Sequence, residues 1–187
     1  MLTVISGTNR PDSATRKIVR HLEGIYQGLG QSLKVLDLQH LPSEAFHAAA
    51  YAAKPAGVQP FIDDILHSHG LIVVTPEYNG GVPGVLKYFI DLLPFPKSFE
   101  FRPVCFVGLG AGEWGALRPV EQLQGVFGYR NAFIYPERVF IRHVHKVLND
   151  KGELIDPEID KRLRSQAQGF VAFSEALRPM RMARGVG

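Results

Sequence analysis

The chain has 187 residues, 45% of them hydrophobic, with 21 Lys and Arg against 18 Asp and Glu. That length can bury one core and contains no linker long enough to separate two domains, so a single domain over 1–187 is expected. The net charge of +3 is too slight and dispersed to argue for a nucleic-acid partner, no apolar run approaches the roughly 20 residues that cross a bilayer, and the only cysteine, Cys105, has no internal partner for a disulfide. The sequence begins directly in a strand-like run, without a basic segment and long apolar stretch, and the expected location is cytoplasmic.

Short β-branched runs alternate with amphipathic ones, the pattern of helices crossing over between parallel strands. Leu2 to Ser6 reads as the first strand, and after Ser13 the residues Ile18, Val19, Leu22 and Ile25 recur at helical spacing until Gly28 and Gly30. Leu33 to Leu38 is a second strand, followed by a loop from Gln39 to Gln59 whose alanines at 48–53 allow a helical turn. Pro60 to Ser68 forms a helix with Phe61, Ile62, Ile65 and Leu66 on one side, and Leu71 to Thr75 is the third strand. Pro83 opens a helix through Val85, Leu86, Phe89, Ile90 and Leu93 that Pro94 and Pro96 stop. Val104 to Val107 is the fourth strand, the stretch from Gly108 to Gly115 a flexible loop, and Val120 to Phe127 a helix. Phe133 to Tyr135 and Val139 to Ile141 read as two closing strand pieces. A last helix spans Pro157 to Arg178 with Ile159, Leu163, Phe170, Phe173 and Leu177 inward, and residues 178–187, with Arg181 and Arg184, read as a flexible tail.

Two loops carry the chemistry. Gly7-Thr8-Asn9-Arg10-Pro11-Asp12-Ser13-Ala14-Thr15 follows the first strand, and Thr75-Pro76-Glu77-Tyr78-Asn79-Gly80-Gly81 follows the third. In an open parallel sheet those strands flank the point where strand order reverses, and ligands sit outside their carboxyl ends. The first loop lacks the spaced glycines of a dinucleotide fingerprint and the Gly-Lys-Ser/Thr ending of a triphosphate cradle. Its hydroxyls, its single Arg and a helix start suit one terminal phosphate, with Asp12 the residue of the wrong charge. Ordinary capping is the alternative for such a turn, and the second loop weighs against it. The spacing of His67 with His69 and of His143 with His145 admits a metal site, but His67 and His69 fit a helix end better. Glu77 as base with Tyr78 as acid is the weaker reading of the second loop, and Cys105 belongs to core packing. Trp114, among glycines, fits either a cover over the cleft or a subunit contact.

The two loops resemble those of the NADPH-dependent FMN reductase family of flavodoxin-like proteins, which includes quinone, azo-dye and chromate reductases. The family's phosphate loop, Gly-Ser-x-Arg-x-x-Ser-x-Asn/Thr, is matched by Gly7, Thr8, Arg10, Ser13 and Thr15, with Thr8 a mild departure. Its Thr-Pro-Glu-Tyr-Asn loop, with Pro-Gly-x-Leu-Lys and an Asp beyond, is matched by Thr75 to Asn79, Pro83, Gly84, Leu86, Lys87 and Asp91. The similarity extends from Leu2 to about Leu123 and, more faintly, into the last helix, and it weakens at Gly108-Leu109-Gly110, where relatives often show a Ser-Ala-Gly type of sequence. The resemblance implies an α/β flavodoxin-like three-layer sandwich, a five-stranded parallel sheet of order 2-1-3-4-5 with helices on both faces. It implies bound FMN, with Thr8, Arg10, Ser13, Ala14 and Thr15 at the phosphate, Pro76, Glu77, Tyr78, Asn79 and Gly80 along the ring edge, and Gly110 and Gly112 beside one ring face. It also implies NADPH or NADH as co-substrate, a small-molecule electron acceptor, no catalytic acid or base for the hydride step, and a homodimer or homotetramer meeting through the Pro83–Leu93 helix and the Gln39–Gln59 loop. The alternative is a flavodoxin-like carrier reduced by a protein partner, for which this basic chain lacks the acidic docking face.

Overall fold

The computed structural model describes residues 1–185. Five strands, β1 (Leu2–Ser6), β2 (Leu33–Asp37), β3 (Leu71–Pro76), β4 (Pro103–Leu109) and β5 (Phe133–Ile141), form one parallel sheet in the order β2-β1-β3-β4-β5. Six helices accompany them: α1 (Ala14–Gly28), α2 (Gln59–Leu66), α3 (Gly84–Leu92), α4 (Leu117–Tyr129), α5 (Val144–Val147) and α6 (Pro157–Ala183). β1, β3 and β4 are buried along their whole length, which is why their sequences run apolar instead of alternating.

The strand period of two assigns each residue to a face. Ile5, Leu71, Val73, Val104 and Phe106 pack with Ile62 and Ile65 of α2, Leu86 and Phe89 of α3, and Leu123 and Phe127 of α4. Leu2, Val4, Ile72, Val74, Cys105 and Val107 face the opposite layer, against Ile18, Leu22 and Tyr26 of α1 and Leu163 and Phe170 of α6. Cys105 is fully buried, and burial pushes its thiol pKa well up, in keeping with a packing role. Among the described residues, no helix is long and apolar enough to cross a membrane.

Four details differ from the sequence-based expectation. β4 continues through Gly108 and Leu109, which pair with Phe140 and Ile141. A Cβ at Gly108 would stand 2.6 Å from the Gly115 carbonyl oxygen, so this glycine marks close approach inside a strand instead of a loop. β5 is one strand, and the β5 residue opposite β4 changes from Ile134 at Val104 to Arg138 at Phe106. The extra residues form a bulge, which interrupts the apolar pattern between the two pieces expected there. In the segment after β2 the turn expected at the alanines is present as Ala48–Tyr51, but it is one of a string of short 3-10 turns, and the segment buries Leu38, Leu41, Ala45, Ala50 and Val58.

The fourth difference corrects the tail expected over 178–187. α6 continues to Ala183, Arg181 is 2% exposed and its Nη1 donates to the His69 carbonyl at 2.7 Å, and the Arg184 guanidinium stands 4.2 Å from the centroid of the Phe101 ring. The last two residues of the expected tail, 186 and 187, lie outside the described part. A basic side chain normally stays solvated; here one backbone carbonyl receives Arg181 and an aromatic face receives Arg184. Arg102 is buried in the same way, donating to the carbonyls of Leu66, Lys97, Ser68 and Ser98, and burial together with repulsion from Arg181 pulls its pKa down to about 9.

Candidate functional site

β1 and β3 are neighbours in the sheet although the chain between them crosses to β2, so the reversal of strand order lies between them. Their carboxyl ends are drawn together at Gly7, whose amide donates to the Val74 carbonyl at 2.9 Å. A Cβ at position 7 would meet that same oxygen at 2.7 Å and Leu86 Cδ2 at 3.0 Å, so only glycine lets the first loop leave β1 this close to β3. One step on, the Thr8 and Tyr78 hydroxyls hydrogen-bond at 2.6 Å, joining the two loops directly, and the Arg10 amide donates to Thr8 Oγ1 at 3.2 Å. Thr8 is 1% exposed and acts from beneath the loop.

The loop turns through Asp12, at φ 50°, into α1. Ser13 caps the helix by accepting from the Arg16 amide at 3.2 Å, and the first turn contains no acid. The amides of Ala14 and Thr15 remain without an acceptor among the described residues, which leaves the positive end of the helix open to an anion. Arg10 is exposed and has no carboxylate within 4 Å among the described residues, whereas Arg16 is engaged by Glu23 at 3.0 Å and Asp37 at 3.4 Å. Of the two arginines near the helix start, Arg10 is the one available to a ligand.

The second loop is a tight turn. Tyr78 and Gly81 exchange both backbone hydrogen bonds, at 3.1 and 3.0 Å, around Asn79 (φ 51°) and Gly80 (φ 74°). Positive φ at both central residues is what an Asn-Gly pair provides, and it fixes the direction of Glu77 and Tyr78. The turn is tied to α4 by the Val82 amide, which donates to Gln122 Oε1 at 3.1 Å. The third wall comes from the end of β4: the Gly110 amide donates to the Ile141 carbonyl, and the Val144 amide donates to the Gly110 carbonyl, each at 3.0 Å.

Together these segments enclose a cleft of about 560 Å³, lined by residues 10–15, 76–78, 109–111 and 144, a size usual for small-molecule sites. The structure thus brings together Arg10, Ser13, Ala14, Thr15, Pro76, Glu77, Tyr78 and Gly110 of the residues expected from sequence. Thr8 supports the cleft from below, while Asn79, Gly80 and Gly112 stand outside its lining, the first two at the tip of the turn. Trp114, 65% exposed, does not line it either. Pro11, Leu109, Ala111 and Val144 line the cleft without having been anticipated. Val144 carries no local signal, because it reaches the site only through the pairing of β5 with β4. One end of the cleft presents Arg10, Ser13 and the open helix amides beside the carboxylate of Asp12, which suits an anion; the remaining walls are backbone, aliphatic side chains, Tyr78 and, at the border, Glu77, which suit a flat body.

The molecule has known relatives. An FMN reductase (NADPH) of Pseudomonas aeruginosa is 30% identical over 75% of this chain and 75% of its own length. A quinone reductase of Pseudomonas putida is 30% identical over 83% of this chain and 84% of its own. Among solved structures, the flavoenzyme NAD(P)H:(acceptor) oxidoreductase FerB of Paracoccus denitrificans superposes with a TM-score of 0.78, covering 94% of this chain and 97% of that one at 24% identity, a likeness of fold. The sheet order is that of the flavodoxin-like flavoenzymes. The sequence profile of the NADPH-dependent FMN reductases matches residues 1–146, a span that contains β1 through β5 and every segment of the cleft, and the chain belongs to that family.

Proposed function

We propose that this chain is an FMN-dependent NAD(P)H oxidoreductase that passes a hydride from the nicotinamide to bound FMN and electrons onward to a small acceptor such as a quinone, a flavin, an azo compound or an oxidised metal ion. The observation that carries this reading is the juxtaposition of Arg10, unpaired among the described residues, and the open Ala14 and Thr15 amides with a wall of backbone, Pro76, Tyr78 and Leu109, bordered by Glu77, formed after β3 and β4. These groups fit FMN: a phosphate meets one cation and a helix N-terminus, which together favour its nearly double negative charge.

In this reading Arg10, Ser13, Ala14 and Thr15 hold the phosphate, and Thr8 fixes the loop that presents them. Pro76, Glu77 and Tyr78 border the ring, and the amides of Asn79 and Gly80, at the tip of the turn beyond the lining, have no acceptor among the described residues and are free to donate toward its edge. Gly110 leaves one wall without a side chain, so a second flat molecule can stack at van der Waals separation. No side chain has to transfer a proton for the hydride step; the protein binds, orients and supplies electrostatics.

The reading includes a homodimer or homotetramer, with α3 and the segment 38–58 at the contact. Support comes from a cluster on that surface, where Tyr88 meets the half-exposed rings of Phe46 and Tyr51 at centroid distances of 5.1 and 5.7 Å. It also includes a cytoplasmic location, in keeping with a single buried thiol. The deciding experiment is anaerobic mixing of FMN-loaded protein with NADPH or NADH in a stopped-flow spectrometer. Rapid bleaching of the flavin absorbance is expected, and protein that stays colourless in excess FMN refutes the reading. Sedimentation of the same sample tests the assembly.

A further inference from the structure

We propose that His143 is a positioning residue for the cleft, holding the wall from Gly110 to Glu113 through two side-chain hydrogen bonds that only its doubly protonated ring can donate together. His143 Nδ1 lies 3.1 Å from the Ala111 carbonyl oxygen, and Nε2 lies 2.9 Å from Glu113 Oε1. Both partners are acceptors. A neutral imidazole has one N–H and one lone pair, so it makes one of these bonds and turns its lone pair toward the other oxygen, whereas the imidazolium donates both.

The backbone repeats the attachment. The His143 amide donates to the Gly112 carbonyl at 3.4 Å, and the residue sits at φ 46°, a left-handed conformation that directs its ring back over the loop. Ala111 and Gly110 line the cleft, so the ring's hold acts on a wall of the site while His143 itself stays outside it. The charged and titratable groups around the ring are Glu113 on the loop, Arg142 beside it in sequence and 3.6 Å from the same carboxylate, His145 and Lys146 on α5, and Asp156, Glu158 and Arg162 at the start of α6. The carboxylate of Asp156 is committed to capping α6, where it accepts from the Glu158 and Ile159 amides. Glu113 is therefore the acid that answers the ring, and Arg142 competes for it.

The hold on the loop does not depend on any ligand; its effect on flavin rests on the function proposed above. The chain's single tryptophan, Trp114, follows Glu113 and reports on the loop through one indole N–H resonance. In ¹⁵N-labelled protein as isolated, that resonance is expected to shift between about pH 5 and 8 in the wild type and in His145→Asn, and to stay still in His143→Asn. Asparagine accepts the left-handed backbone at 143, so the change does not threaten the fold. The ratio of the His143→Asn to the wild-type Kd for FMN cancels the phosphate's own ionisation. It should be about threefold at the acid end of the range and approach one at the alkaline end, the size of an exposed ion pair. An indole resonance that does not titrate, or that titrates unchanged in His143→Asn, overturns the proposal. So does a titrating resonance with a Kd ratio that is flat across the range. Failure of every variant to bind FMN refutes the function above, while the indole titration still decides the hold on the loop.

Discussion

Replacing Arg10 by alanine tests the phosphate end of the cleft most directly. Its guanidinium is exposed and unpaired among the described residues, and the Ala14 and Thr15 amides stay in place when it is removed. A charge-assisted hydrogen bond contributes about 1.5–3 kcal/mol. Solvent screening at this exposed position puts Arg10 at the lower end, so the FMN Kd should rise about tenfold, or 1.4 kcal/mol. Riboflavin, which lacks the phosphate, should bind the variant and the parent equally. Arg16 stands in the first turn of α1 but is held by Glu23 and Asp37, so Arg16→Ala should change the FMN Kd by less than about twofold. Titrations following quenching of flavin fluorescence measure all of these, and added salt should narrow the FMN difference. An unchanged FMN Kd in Arg10→Ala, or parallel losses for FMN and riboflavin, would refute the assignment.

Gly7→Ala should lower stability by about 1–3 kcal/mol, because the added Cβ meets the backbone of β3 at 2.7 Å; an unmoved urea midpoint would contradict the close approach. Thr8→Val and Tyr78→Phe each remove the hydroxyl pair at 2.6 Å and should cost about 1 kcal/mol apiece. The double variant should lose less than the sum, and additivity within about 0.3 kcal/mol would show that the bond does not couple the loops. Acid should destabilise the fold in part through His69, whose pKa is lowered first by burial and then by nearby positive charge, including Arg178 and Arg181. Below the ordinary imidazole value of 6.5 the unfolded chain binds more protons than the folded one, so stability falls as pH drops through that window and the penalty is absent above it. Thermal unfolding of His69→Gln between about pH 5 and 7 should show a shallower pH slope than the wild type, and equal slopes would remove His69 from the account.

Features set by neighbours in sequence could be read from the chain. The start of α1 was legible because Ser13, the apolar spacing after it and the Gly-rich exit all act within a few residues, and the Asn79-Gly80 turn is encoded by two residues that tolerate positive φ. The resemblance supplied the sheet order, and the apolar strands agree with it. What escaped depends on distant parts of the chain. Gly108 looks like loop sequence until Gly115 is packed against it, and the bulge in β5 hides the continuity of that strand. Arg181 reads as solvated, since nothing local announces that the His69 carbonyl and the α6 packing will enclose it. Val144 joins the site from the far side of β4. At the cleft, residue types chose the chemistry, and only the assembled sheet decided which of Arg10 and Arg16 was left free.

The hydroxyl pair of Thr8 and Tyr78 spans seventy positions of sequence. It exists only with β3 docked beside β1, and two helices, the second strand and the 3-10 turns lie between those strands in the chain. Occupancy of the cleft is therefore linked to global folding and not to any fragment: a ligand at one hundred times its Kd adds about 2.7 kcal/mol against unfolding. Without a ligand that margin is missing, so an empty cleft leaves the whole sheet easier to unfold.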